Sequence, residues 1–152
     1  MRIETDDLSR PQVHALLNEH LSNMYELSPP ENVFALDLSK LHVPEITFFT
    51  AWDGDLLLGC GALKALSASE GELKSMRTPQ ALRRRGAGRA LLDHILVLAR
   101  QRGYHTLNLE TGSHPDFQAA QTLYASRGFE LCGPFGSYVE DPYSVFMRLR
   151  LV

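Results

Sequence analysis

Cysteine is scarce in this chain: Cys60 and Cys132 are the only two among 152 residues. Two are too few for a disulfide framework and they form no CxxC pair. Both lie in apolar, strand-like surroundings and read as reduced structural thiols. Long hydrophobic runs are also missing. No apolar segment reaches the length of a membrane span, and Met1 to Asp7 lacks a signal-peptide core, so a cytoplasmic protein with no membrane partner is expected. Positive charge is not in excess either, since the net charge is −3. That argues against a broad surface for phosphate backbones and hence against a nucleic-acid partner. The six histidines are scattered without metal-ligand spacing, and no metal site is expected. The chain holds no internal repeat, low-complexity segment or linker. With 44% hydrophobic and 22% charged residues it reads as one globular domain over residues 1–152, long enough to bury a proper core.

What the sequence does have is concentrated between Glu72 and Leu92. A β-rich run ends at Pro79, a basic turn follows through Arg83, Arg84 and Arg85, and Gly86-Ala87-Gly88-Arg89 opens a strongly amphipathic helix. The two glycines remove side chains where the turn becomes a helix, so backbone N–H groups there are free to close on an anion. The four arginines crowd a helix N-terminus whose dipole is already positive, at a cost of roughly a few tenths of a kcal/mol each. A sequence that breaks a local rule this heavily is best explained by a phosphorylated ligand that compensates it. It is not a P-loop, for no G-x-x-x-x-G-K-[ST] is present. Without a third glycine it is not a dinucleotide-binding fingerprint either.

Along the rest of the chain, Met1 to Asp6 reads as a short first strand. Asp7 or Ser9, with Pro11 behind, is the expected N-cap of a helix whose face carries Val13, Leu16, Leu17, Leu21 and Met24. A break at Ser28 to Asn32 precedes a second, shorter helix expected over Val33 to Leu41 with Phe34, Leu38 and Leu41 turned inward. Ile46 to Trp52 and Leu56 to Leu66 form a predicted hairpin about Asp53-Gly54-Asp55. Later come a helix carrying Leu91, Leu92, Ile95, Leu98 and Ala99, a strand at Leu107 and Leu109, a helix over Phe117 to Arg127, a strand at Phe129 to Cys132, and a last strand over Val145 to Leu151. The pattern predicts a mixed α/β or α+β fold around a sheet of about six or seven strands with about four helices. The apolar last strands would suit a homodimer.

Two separated strings in the right order carry a family resemblance. Arg83-Arg84-Arg85-Gly86-Ala87-Gly88 resembles the [QR]-x-x-G-x-[GA] pyrophosphate loop of the GNAT superfamily, the Gcn5-related N-acetyltransferases that use acetyl-coenzyme A. Ala120-Gln121-Thr122-Leu123-Tyr124, continuing to Gly128-Phe129, is similar to that family's A-x-x-L-Y-x-x-x-G-F segment. Further strings, among them Gly59 to Lys64, Lys74 to Thr78 and Leu109 to Ser113, resemble a bacterial subgroup of the family, so the resemblance covers nearly the whole chain.

The resemblance implies a GNAT fold and an N-acetyltransferase that moves an acetyl group from acetyl-CoA to a primary amine by direct attack in a ternary complex. The alternative is a non-catalytic acyl-CoA-binding or sensor module. It places pyrophosphate on the backbone from Arg84 to Arg89 with help from the arginines, Arg83 included, and the pantetheine arm along Met76, Arg77 and Thr78, where backbone groups do the binding. Tyr124 aligns with a tyrosine that protonates the departing thiolate; the alternative is a helix aromatic with a satisfied hydroxyl. Glu72 is the first choice for the base that takes the amine proton, and Glu110, at the end of the next strand, is the second. Either is as readily an ion-paired strand-end carboxylate, and His114 and His105 are weaker candidates. Where the family often carries Asn near the start of the later helix, Phe117-Gln118 stands here.

Overall fold

A computed structural model describes residues 1–152. Seven strands form one sheet: β1 (Arg2–Thr5), β2 (Ile46–Asp53), β3 (Leu56–Ala65), β4 (Glu70–Arg77), β5 (Thr106–Gly112), β6 (Glu130–Cys132) and β7 (Ser144–Arg150), in spatial order β1-β2-β3-β4-β5-β7-β6. Only β4 and β5 run parallel; every other pair is antiparallel. A parallel pair needs a crossover, which α3 (Ala87–Gln101) supplies. The other helices are α1 (Pro11–Leu27), α2 (Leu38–Leu41) and α4 (Gln118–Ser126). None of them is long and apolar enough to cross a membrane.

Helices cover both faces of the sheet, so its central strands are apolar on both sides. On one face Leu91, Leu92, Ile95 and Ala99 of α3, all fully buried, pack with Leu63, Leu73, Leu107 and Leu109, and α4 adds Tyr124. Burying each such Leu or Ile contributes on the order of 1.5–3 kcal/mol. On the other face Val13, Leu16 and Leu17 of α1 and Leu41 of α2 meet Phe48, Trp52, Cys60 and Ala62. The Trp52 indole N–H donates to Thr50 Oγ1 at 2.7 Å, which lets both groups lie fully inside.

Two local expectations are corrected. The N-cap of α1 is Arg10, which makes no side-chain cap, with Pro11 in the first turn as predicted. Asp7 and Ser9 instead bond each other, Ser9 N–H donating to Asp7 Oδ1 at 3.0 Å, and are spent on their own turn. The helix expected over Val33 to Leu41 shrinks to Leu38–Leu41, preceded by a 3-10 turn at Pro30–Asn32. Asp37 explains the late start, because its carboxylate caps the helix by accepting from Lys40 N–H at 3.0 Å. Phe34 is thereby left in an irregular link, where it is free to turn toward the site.

Candidate active site

β4 and β5 pair from Glu70 to Leu73 against Thr106 to Leu109, and then part company. β4 runs on to Arg77 and β5 to Gly112 with no partner between them, while their outer edges stay paired to β3 and β7. The result is a wedge at the carboxyl ends of two parallel strands, where a ligand has an open sheet edge to bond.

A bulge shapes one wall of the wedge. Cys60 pairs with Arg77 and Ala62 with Lys74, so β4 has one residue more than β3 between these points. Ser75 takes up the excess in a left-handed conformation, φ 55°. Beyond it the two faces exchange. Met76 joins the core beneath α3, against Gly61, whereas Arg77 turns to α1 and donates to Asn23 Oδ1 at 2.8 Å and Glu19 Oε1 at 3.0 Å. The side chains of both residues are thus committed to the protein. Only their backbone faces the wedge, as does that of Thr78, whose methyl lies beside Gly59.

The wedge leads to the N-terminus of α3. Gly86 is its N-cap in a left-handed conformation, φ 83°, with no side-chain cap and no acidic residue in the first turn. The first backbone donor of the helix is Ala90, to Gly86 O, which leaves the N–H groups of Ala87, Gly88 and Arg89 without an acceptor in the chain. Arg83, Arg84, Arg85 and Arg89 are exposed and form no ion pair within the chain. Arg84 is itself held at φ 67°, a strained conformation of the kind found at ligand sites. A Cβ at Gly88 would meet nothing closer than Leu123 Cδ2 at 3.6 Å, so the protein's own packing does not require glycine there. Uncapped donors, unpaired cations and an unneeded glycine together fit a phosphate group.

Two carboxylates line the other side of the sheet. Glu110 lies on β5 just past the point of divergence, facing away from the α3 core because Leu109 faces into it. Burial pushes its carboxyl up to about 7, against a hydrogen bond from Ser144 Oγ at 2.9 Å and the Lys74 charge, which hold it down; Asp141 and Glu72 raise it further. Glu72 is more deeply buried and is engaged: its Oε2 accepts from Lys74 Nζ at 2.9 Å and from the Tyr138 hydroxyl at 2.7 Å. Tyr124 comes from the opposite side, on α4 within the α3 core. Burial, and then the Glu110 charge, push its phenol well above the usual range. Its hydroxyl has no hydrogen-bond partner in the protein, unlike that of Tyr138. His114 accepts from Asp116 N–H at 3.1 Å in a turn, and neither it nor His105 joins the wedge carboxylates.

Phe117 does not simply replace a polar contact. Its ring lies directly over Gly112, where any Cβ would collide with it, and Gln121 Nε2 donates to Gly112 O at 2.8 Å. Together they pin the end of β5. Sequence reasoning missed Lys74 and Ser144. Lys74 is two residues from Glu72, on the same face of one strand, and that spacing was the available signal. Ser144 carried none, since it reaches Glu110 only through the β5–β7 pairing. A surface depression between the 133–143 loop and β6–β7 is lined by Asp141, Ser144 and Phe146 among others, and by neither Glu110 nor Tyr124.

A family model described as "Acetyltransferase (GNAT) family" matches residues 12–129. The chain is 53% identical over 151 residues to the Bacillus subtilis (strain 168) protein named "Uncharacterized N-acetyltransferase YsnE", covering 99% of this chain and 100% of that one. Among solved structures, a Klebsiella pneumoniae protein described as an acyl-CoA N-acyltransferase superposes with a TM-score of 0.81 at 31% identity, over 99% of this chain and 97% of that one. A GNAT family acetyltransferase from Elizabethkingia anophelis with acetyl-CoA bound superposes with a TM-score of 0.70 at 15% identity, over 98% and 97%, and shares the fold.

Proposed function

Because the chain belongs to the Acetyltransferase (GNAT) family, we propose that its single domain, residues 1–152, binds acetyl-CoA along the wedge and transfers the acetyl group to a primary amine, with Glu110 as base and Tyr124 as acid. The observation that carries this reading is the divergence of β4 from β5, with Glu110 on one side of the sheet there and Tyr124 on the other. When bound, acetyl-CoA supplies a thioester whose carbonyl is open to a neutral amine. Arg83 to Arg89 hold its phosphates by charge and by the free N–H groups of the α3 terminus, and the open edge of β4 from Lys74 to Arg77, with Thr78, aligns the arm.

Glu110 sits near 7, so at neutral pH it is partly ionised yet basic enough to take a proton from an arriving ammonium, directly or through water. Tyr124 keeps its proton throughout the neutral range and is therefore a donor to the thiolate rather than a base. Glu72 was the stronger candidate for base on sequence. Its engagement by Lys74 and Tyr138 makes it a member of the wall, and Glu110 takes the role in this reading. Leu131 and Val139, exposed on and beside the edge strand β6, supply the apolar edge at which two copies would pair as a homodimer.

Gly88→Asp tests the cofactor site. The position has room for a side chain, so the fold is expected to survive while a carboxylate meets the phosphates. Calorimetry should show coenzyme A binding by the wild type and its loss in the variant. Equal binding by both would remove the α3 terminus from the site, and no binding by the wild type would end the acetyl-transfer reading.

A further inference from the structure

The loop between β6 and β7, residues 133–143, contains no regular structure. One residue ties it across the sheet. The Tyr138 hydroxyl donates to Glu72 Oε2 at 2.7 Å and accepts from Lys74 Nζ at 2.9 Å, while Lys74 Nζ also donates to Glu72 at 2.9 Å. The three groups close a ring of hydrogen bonds around a charge pair whose side chains are only 9% and 4% exposed.

A buried ion pair is weak evidence for stability, because desolvation offsets most of the attraction. Its geometry here is better read as an anchor. The Tyr138 ring stands edge-on to Phe34 at 5.3 Å and to Phe135 at 5.0 Å, and is tilted against Phe146 at 5.6 Å. These rings come from the α1–α2 link, the loop and β7, so Tyr138 is where three separate segments meet β4. Phe135 and Phe146 are buried, whereas Phe34 and Tyr138 remain half-exposed. Glu110 is the register partner of Phe146, so this wall begins beside the proposed base.

We infer that Tyr138 is a positioning residue that fixes the 133–143 loop on the acceptor side of the wedge, and that the wall it forms with Phe34 selects a primary amine with an aromatic body. The inference rests on the acetyl-transfer reading for its reaction but not for its geometry. With Glu72 balanced by Lys74, Glu110 and Asp141 supply the negative charge where the ammonium end arrives, and the rings take the flat apolar remainder.

Tyr138→Phe keeps the ring and removes only the clasp. Hydrogen–deuterium exchange should quicken about tenfold within 133–143 and stay unchanged in α3. Unaltered exchange in the loop would overturn the anchor. Coenzyme A release with 2-phenylethylamine and n-propylamine as acceptors reads the second half. The wild type should favour 2-phenylethylamine by roughly tenfold or more in kcat/KM. The variant should raise KM for that amine about tenfold, with kcat and the propylamine KM nearly unchanged. A parallel fall of kcat for both amines would overturn the positioning role. Equal use of the two amines by the wild type, or use of neither, would overturn the selection. The acetyl-transfer reading itself stands or falls on coenzyme A binding by the wild type, so the two failures are distinguishable.

Discussion

Glu72 and Glu110 occupy neighbouring strands, face the same side of the sheet and are both shielded from water, yet the fold treats them differently. Glu72 sits where β4 is still paired on both edges, and it receives a lysine and a phenol on one oxygen. Glu110 sits just past the divergence and receives one serine hydroxyl. Burial disfavours the charged form of any carboxylate, and a cation at hydrogen-bond distance opposes it. Lys74 spends its direct contact on Glu72 and acts on Glu110 only from further away, so desolvation wins at Glu110 and its carboxyl rises to about 7. One ammonium placed off-centre between two carboxylates ties one into an ion pair and leaves the other with a raised carboxyl, the property the proposed base requires.

Removing that ammonium is the hardest way to break the contrast. Lys74→Met leaves Glu72 buried without its cation, and the loss of one partner of such a pair costs about 3 kcal/mol or more. Chemical denaturation should show a drop of that size, and a loss below about 1 kcal/mol would mean that the pair is not an anchor.

Glu110→Gln breaks the other half. With the proposed base removed, kcat/KM at neutral pH should fall by about a hundredfold or more. The pH profile sharpens the point. Below about 7 the wild-type carboxyl holds its proton and cannot accept another, so kcat/KM should show an acid limb near 7 that the variant lacks. If the limb persists in Glu110→Gln, the base lies elsewhere.

The third effect is on stability, and it has the opposite sign. The folded Glu110 carboxyl titrates near 7, above the 4.5 of the exposed group, so between these values the native state binds more protons than the unfolded chain. Stability therefore falls as pH rises through that window, and the cost is fully present above about 7. Glu110→Gln removes it. The variant should melt higher than the wild type at pH 8 and gain less at pH 4; an equal shift at both values would show that burial of this charge is not what costs stability.

Much of this was legible in the sequence because the features are local. The Gly86 to Gly88 turn, the amphipathic face of α3 and the hairpin at Asp53-Gly54-Asp55 are each written within about a dozen residues, and they appear where expected. The second helix failed for a local reason as well: Asn32 is taken up in the 3-10 turn from Pro30, and the next capping residue is Asp37. The rank of the two carboxylates was not legible at all. It depends on Tyr138, 66 residues from Glu72, and on Ser144, 34 residues from Glu110, and no periodicity reports such distances. Tyr124 was placed by its neighbours in sequence, while the burial that keeps its proton on comes from the core around it.

The single surplus residue at Ser75 acts as a phase slip in the alternation of β4. Upstream, even-numbered side chains point toward α1; downstream, the odd-numbered Arg77 does. Deleting Ser75 would therefore splice the strand back into phase: Lys74 would stay opposite Ala62, Met76 opposite Gly61 and Arg77 opposite Cys60, each side chain on its present face, and only the kink that bends this edge of the wedge would be erased.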